Sequence, residues 1–418
     1  MDKLEINGKE NLSGSISVHG AKNSALPILV SSLLNLNRIN LHNIPQVEDI
    51  NNMIKLLEGF GAAINRQKNS VILNCKNIKN ITADYDIVRK MRASILILGP
   101  LLSRFGHAKI SLPGGCAIGT RPIDIHLEGL KKLGVQFKIE NGFIIGKVKS
   151  MLKGNKIILP FPSVGATENI LMSAILADGE TTIENSAKEP EITDLANFLI
   201  SMGAKIEGQG TNKIWVKGVT SLVETSYKII SDRIVAGTFI ILSIMLNAKV
   251  EVNNINTDDL AAVIKVLNDM GANLKIKKNA VLIGKSDKLK SINVETSPYP
   301  GFPTDLQAQL MSLMCIAEGQ SQIKETIFEN RFMHVPELNR LGANIKVIKD
   351  TAFIEGNQKF KGAQVMASDL RASVSLILAA LCSEGKTTIN RVYHLDRGYE
   401  NIEKKLKLCG AKIERINQ

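Results

Sequence analysis

At 418 residues the chain exceeds what one ordinary hydrophobic core organises, so two domains or a repeat array are expected. Apolar residues make up 44% and charged residues 22% of it, the balance of a soluble globular protein without low-complexity tracts. The net charge of +12 comes from scattered lysines rather than a basic block interleaved with aromatics. That argues against a single-strand nucleic-acid binder and leaves a small anionic substrate as the simpler explanation.

Along the chain, the opening MDKLEINGKENLSG is polar and charged, unlike a secretory signal. HGAKNSALP places Lys22 just before an apolar helix, and RKMRASILIL places Arg92 at the start of another. SLPGGCAIGTRPIDIH (111–126) sets Cys116 among glycines, five residues before Arg121. Such a loop can approach a ligand closely, and the arginine favours the thiolate. PGFPTDLQAQ carries Asp305, expected to open a helix with no neighbouring base. ENRFMHVPEL, SDLRASVSL and HLDRGYENI carry Arg331, Arg371 and Arg397. Helix N-termini already favour anions, and a cation there strengthens a phosphate or carboxylate site. Asp369 and Asp396, close to Arg371 and Arg397, are expected to pair with arginines. The longest apolar run, IVAGTFIILSIML (234–246), is shorter than the roughly 20 residues of a membrane span, so a cytoplasmic location and no membrane partner are expected.

One signature recurs: a leucine-containing helix end, then a glycine, followed by alanine in all units but LKKLGVQF, then a strand. Its glycines are Gly61, Gly134, Gly203, Gly271, Gly342 and Gly410, spaced by 73, 69, 68, 71 and 68 residues. Between them lie helices apolar on nearly every face, as in ENILMSAILADGETTIEN, AQLMSLMCIAEGQSQIKET and SVSLILAALCSEGKTTINR. Such helices are buried rather than amphipathic, and the glycine after each is expected as a left-handed cap. The expected fold is α/β: six repeated units with buried helices and sheets outside, grouped into two domains of three. One domain spans 22–229 and holds the Cys116 loop; the other joins 1–21 to 230–418. Independent solenoid repeats are the alternative, although solenoid units usually run 20–50 residues.

The five cysteines, Cys75, Cys116, Cys315, Cys382 and Cys409, are odd in number and contain no CxxC pair, so no disulfide framework is expected. Cys315 and Cys382 fall in apolar helical runs and read as inert core thiols. No zinc spacing, Walker loop or complete GxGxxG stands in the chain, so no metal or cofactor is expected.

Taken together, HGAKNSALP, SLPGGCAIGTRPIDIHLEGL, SVGATEN, NSAKEPEI, FPTDLQAQ, ENRFMHVPEL, SDLRAS and HLDRGYE resemble the UDP-N-acetylglucosamine enolpyruvyl transferases, in order and over essentially the whole chain. The resemblance implies a two-domain inside-out α/β barrel of βαβαββ units, with the substrate cleft between the two domains. It implies transfer of enolpyruvate from phosphoenolpyruvate to the 3′-hydroxyl of UDP-N-acetylglucosamine, the first committed step of peptidoglycan synthesis, with no obligate protein partner. Lys22, Arg121 and Arg397 would grip phosphoenolpyruvate beside Asn23. Arg92, Arg121, Pro122, Ile123, Asp124, Ile125, Ser163, Val164, Gly165, Asp305 and Ile327 would line the UDP-sugar site. Cys116 would be the lid cysteine, the proton donor and the residue alkylated by fosfomycin, while Asp305 would act on the sugar hydroxyl. Arg331, Asp369 and Arg371 would support the site. Some members carry a lysine two residues before the SVGAT serine; here Phe161 stands there, which leaves the hold on the diphosphate open. Enolpyruvyl transfer to shikimate 3-phosphate and a non-catalytic sugar-nucleotide-binding regulator are the alternatives.

Overall fold

The computed structural model describes residues 2–112 and 123–417. The sequence-predicted residues Cys116, Arg121 and Pro122 lie outside the described residues.

Each repeat is built as a short strand, an inner helix, a strand, a second helix and a hairpin. Residues 156–217 illustrate it. Strand Lys156–Ile158 runs parallel to Glu180–Glu184, which pairs antiparallel with Lys213–Lys217, itself paired with Lys205–Glu207. The parallel step needs a crossover, and the helix Val164–Ala174 supplies it. Thr181 and Ile183 point inward while Glu180 stays in solvent, so the sheet has one wet and one dry face. Among the described residues there are six such four-stranded sheets.

The inner helices are Lys22–Ser31, Leu98–Phe105 (after the 3-10 segment Arg92–Ile97), Val164–Ala174, Arg233–Met245, Gln307–Ile316 and Leu370–Cys382. In Arg233–Met245 every residue after Arg233 is buried; all-round apolarity here means a helix with neighbours on all sides. The second helices, such as Glu48–Phe60 and Pro190–Ser201, keep a polar face. Each ends at one of the repeating glycines, all left-handed, with φ between 91° and 104°. Glycine is suited to that conformation because it lacks Cβ.

The glycines after the inner helices need a correction. Gly179, Gly319 and Gly385 are left-handed, but the helix caps are Ile175, Ala317 and Ser383. These glycines shape the turn that starts the next strand: Gly218 N–H donates to the Gly179 carbonyl (3.0 Å) and Gly356 N–H to that of Gly319 (2.9 Å).

Of the described residues, 20–112 and 123–230 form one compact unit and 2–19 with 231–417 a second, each around its own apolar core. In the first, strand Thr225–Lys228 closes the sheet begun by Arg38–His42. In the second, strand Ser13–Ser17 lies parallel to Lys249–Asn253. Strand Lys3–Asn7 sits inside the last sheet, between Lys386–Asn390 and Lys412–Ile416. Among the described residues no helix is long and apolar enough to cross a membrane.

Candidate active site

In the unit built from 20–230, Lys22 is the first residue of its inner helix and only 8% exposed. Its ammonium donates to Asp49 Oδ2 at 3.1 Å, from the first turn of Glu48–Phe60. Two consecutive helices of one repeat thus place a cation and its counter-ion at a helix mouth. Asn23 beside it is exposed, and the Ser24 hydroxyl donates to Asp194.

A second group forms around the start of Val164–Ala174. Ser163 caps this helix, its hydroxyl oxygen accepting from Ala166 N–H at 3.4 Å. A methyl at Gly165 would stand 3.0 Å from His126 Cε1 and 3.3 Å from its Nε2, so that edge of the imidazole faces the helix start. Asn169 fixes the ring. Its Oδ1 accepts from Gly99 N–H (2.7 Å), while its Nδ2 donates to the Ile95 carbonyl (3.1 Å) and lies 3.2 Å from His126 Nδ1. A donor opposite Nδ1 makes Nδ1 the acceptor and leaves the proton on Nε2. Burial, with Arg92 adding to it, lowers the His126 pKa to about 4, so the ring is neutral near pH 7. Arg92 heads its 3-10 segment. Asp124 opens the helix that carries His126, and Ile123 and Ile125 pack half-buried against the core.

In the other unit Asp305 is not alone, contrary to the sequence expectation. Arg331 Nη2 donates to its Oδ1 at 2.6 Å and Arg371 Nη2 to its Oδ2 at 2.8 Å. Both arginines are almost fully buried. Burial works against the Arg371 charge, but Asp305 foremost, together with Tyr399 and Asp232, offsets it and holds its pKa above the usual arginine range. Asp369 pairs with no arginine side chain in a described hydrogen bond or salt bridge. Its Oδ1 caps Leu370–Cys382, accepting from Arg371 N–H (2.8 Å) and Ala372 N–H (3.1 Å), because an acceptor is needed where helical N–H groups lack one. Asp396 does pair with an arginine: Arg415 grips it with two bonds of 2.6 and 2.9 Å. Arg397 ends the 3-10 segment Val392–Arg397 and, second to burial, lowers the pKa of His394. Glu325 joins the Ile327 segment to Asp305's neighbour: it accepts from Ile327 N–H (2.9 Å) and from the Thr304 hydroxyl (2.9 Å).

Sequence reading missed Asp49, Asn169 and Glu325 as partners and His126 as a donor. His126 lies in the quoted RPIDIH run and Asn169 in SVGATEN, so both were visible as residues but not as a pair. Burial pushes the thiols of Cys315 and Cys382 up to about 12, which keeps them protonated and unreactive, as expected. Among the described residues no group of three or more His, Cys, Asp or Glu is placed to hold a metal ion.

Comparison with known proteins gives the family. The family described as EPSP synthase (3-phosphoshikimate 1-carboxyvinyltransferase) matches residues 6–406. A UDP-N-acetylglucosamine 1-carboxyvinyltransferase of Pelagibacter ubique is 53% identical over 418 residues, the whole of both chains. One of Granulibacter bethesdensis is 51% identical, again over both whole chains. Among solved structures, the enolpyruvyl transferase NikO from Streptomyces tendae has a TM-score of 0.91 at 24% identity, covering 100% of this chain and 99% of its own. EPSP synthase from Acinetobacter baumannii gives 0.79 at 20%, covering both chains entirely; these likenesses establish the α/β fold. With a family match along nearly its entire length and relatives at half identity end to end, the chain belongs to the enolpyruvyl transferase family.

Proposed function

We propose that this protein transfers the enolpyruvyl group of phosphoenolpyruvate to the 3′-hydroxyl of UDP-N-acetylglucosamine and releases phosphate, the committed step of peptidoglycan synthesis. The observation that carries the reading is the end-to-end similarity to relatives bearing that substrate in their names.

Phosphoenolpyruvate is a multiply charged anion, so Lys22, Arg121 and Arg397 would hold it, with Asn23 alongside. Arg92, residues 121–125, the segment Ser163–Gly165, Asp305 and Ile327 would line the UDP-sugar site. With Phe161 in place of a lysine, backbone N–H groups at the start of Val164–Ala174 and the neutral Nε2–H of His126 would donate to the diphosphate beside Arg92. The enol phosphate becomes reactive when C3 takes a proton, a task suited to Cys116. The sugar hydroxyl then adds to C2 as Asp305 accepts its proton, giving a tetrahedral ketal. Loss of a proton from C3 and cleavage of the C2–O bond to phosphate restore the double bond on the new ether. The arginines stabilise charge on the leaving phosphate.

The test is phosphate release from phosphoenolpyruvate with and without UDP-N-acetylglucosamine, in the presence of EDTA. Release that requires the UDP-sugar and survives the chelator is expected. The family's description as EPSP synthase favours shikimate 3-phosphate as the second reading, and activity with that acceptor instead would establish it. Cys116→Ser should lose most turnover and fosfomycin sensitivity; a variant normal in both would remove Cys116 from the mechanism.

A further inference from the structure

Tyr399 lies two residues beyond Arg397, is 3% exposed, and has no role in the reaction as written above. Its hydroxyl reaches three inner helices of its unit. It is 2.9 Å from Thr238 Oγ1 in Arg233–Met245, 3.4 Å from Gln309 Nε2 in Gln307–Ile316, and 3.4 Å from Arg371 Nη1 in Leu370–Cys382.

The donor directions follow from the partners. Thr238 Oγ1 is 2.8 Å from the Ile234 carbonyl, which can only accept, so the threonine proton goes there. Thr238 oxygen is then the acceptor for the Tyr399 O–H and for Gln309 Nε2 at 3.0 Å. The second amide hydrogen of Gln309 is directed to the Asp305 carbonyl, also at 3.0 Å. With the amide hydrogens so engaged, the lone pairs of Tyr399 are left to Arg371 Nη1. The other end of that guanidinium, Nη2, grips Asp305 Oδ2. Gly398 shapes the approach: a methyl there would stand 2.7 Å from Leu370 Cδ2, so the backbone between Arg397 and Tyr399 lies directly on the residue preceding Arg371.

We propose that Tyr399 is a positioning residue for the transfer reaction: its hydroxyl orients Arg371, and through it the Asp305 carboxylate, while its backbone anchors the segment carrying Arg397. The proposal rests on the reading of the function above, in which Asp305 takes the proton of the sugar hydroxyl. An unaligned base costs turnover more than it costs substrate binding.

Tyr399→Phe removes one oxygen and keeps the ring; Thr238→Val removes the acceptor that directs the Tyr399 proton. Both are measured in the full chain for kcat, for KM of each substrate, and for the urea midpoint that gives the folded fraction. Tyr399→Phe is expected to lower kcat on the order of tenfold with KM for UDP-N-acetylglucosamine within about twofold, and Thr238→Val to show a smaller version of the same split. Unchanged kcat in folded Tyr399→Phe, or a loss matching only the unfolded fraction, overturns the proposal; should that variant not fold, Thr238→Val decides on the same terms. The guanidinium 15N resonances of Arg371 give a reading independent of turnover. Slow Nη rotation in the unsubstituted protein that is released in the variants supports the proposal, and identical resonances overturn it. An inactive unsubstituted protein would instead count against the proposed function, leaving the resonances to judge Tyr399.

Discussion

Lys22 and Asp49 place a full ion pair where water hardly reaches, with side-chain exposures of 11% and 4%. Removing one partner of such a pair weakens the hold on a buried charge, which costs far more than the pair itself contributes. Asp49→Asn is therefore expected to lower the urea-unfolding free energy by about 3 kcal/mol and to raise KM for phosphoenolpyruvate through a displaced Lys22. His126 gives a second residue-scale prediction. Its folded pKa, about 4, lies below the ordinary 6.5 because burial, then Arg92, disfavours the charged ring. Between those values the unfolded chain binds the proton and the folded chain does not. Stability is thus lost as pH falls from 6.5 towards 4, by about 1.4 kcal/mol per pH unit. Across that window His126→Gln should flatten the pH dependence of the urea midpoint; equal slopes in both proteins would contradict the buried neutral ring. The partners of Asp305 were beyond sequence reading for a plain reason. Arg331 and Arg371 stand 26 and 66 residues away, the first across its own repeat and the second in the next, and no local pattern reports either contact.

At the scale of elements, two kinds of glycine hold the repeats together, and substitution separates them. Gly203 follows the cap of Pro190–Ser201 at φ 99°, and a methyl there meets nothing within 4 Å. Gly203→Ala should cost only backbone strain, about 1 kcal/mol. Gly99 lies in an inner helix where a methyl would stand 2.5 Å from Asn169 Oδ1, 2.6 Å from its carbonyl and 2.7 Å from Ser173 Oγ. Gly99→Ala must push two buried helices apart, and a loss of about 3 kcal/mol is expected. It should also weaken UDP-sugar binding, because Asn169 is what orients His126. Urea unfolding of the two variants side by side checks the contrast. The Gly203 kind was legible as a repeat because backbone conformation is a local demand. The Gly99 kind was not, since what excludes its side chain comes from a helix 70 residues away. The same distinction explains why the glycines after the inner helices were read as caps: a left-handed residue was foreseeable, its exact turn was not.

For the whole molecule, the six-fold spacing of glycines and the all-round apolar helices were enough to foresee buried helices under outer sheets, because both are consequences of composition along short windows. The exchange of strands was less visible, since nothing in MDKLEINGKENLSGSISVHG announces that its two strands complete sheets at opposite ends of a sequence. Leu4 and Ile6 are fully buried, and Lys3–Asn7 is interior to its sheet with partners on both sides. Ile6→Asp should consequently leave the 2–19 and 231–417 unit unfolded at room temperature, since a charge without a partner in that core costs several kcal/mol; limited proteolysis would show cleavage confined to that unit.

That same strand has a consequence for synthesis. Residues 3–7 leave the ribosome about 400 residues ahead of the segment they clasp at 412–416. At about 5–20 residues per second, this early segment must wait tens of seconds, unpaired, while the intervening unit of residues 20–230 is made and finds its own core. Chains stalled after residue 300 should therefore protect 20–112 and 123–230 from protease while leaving 2–19 open to it.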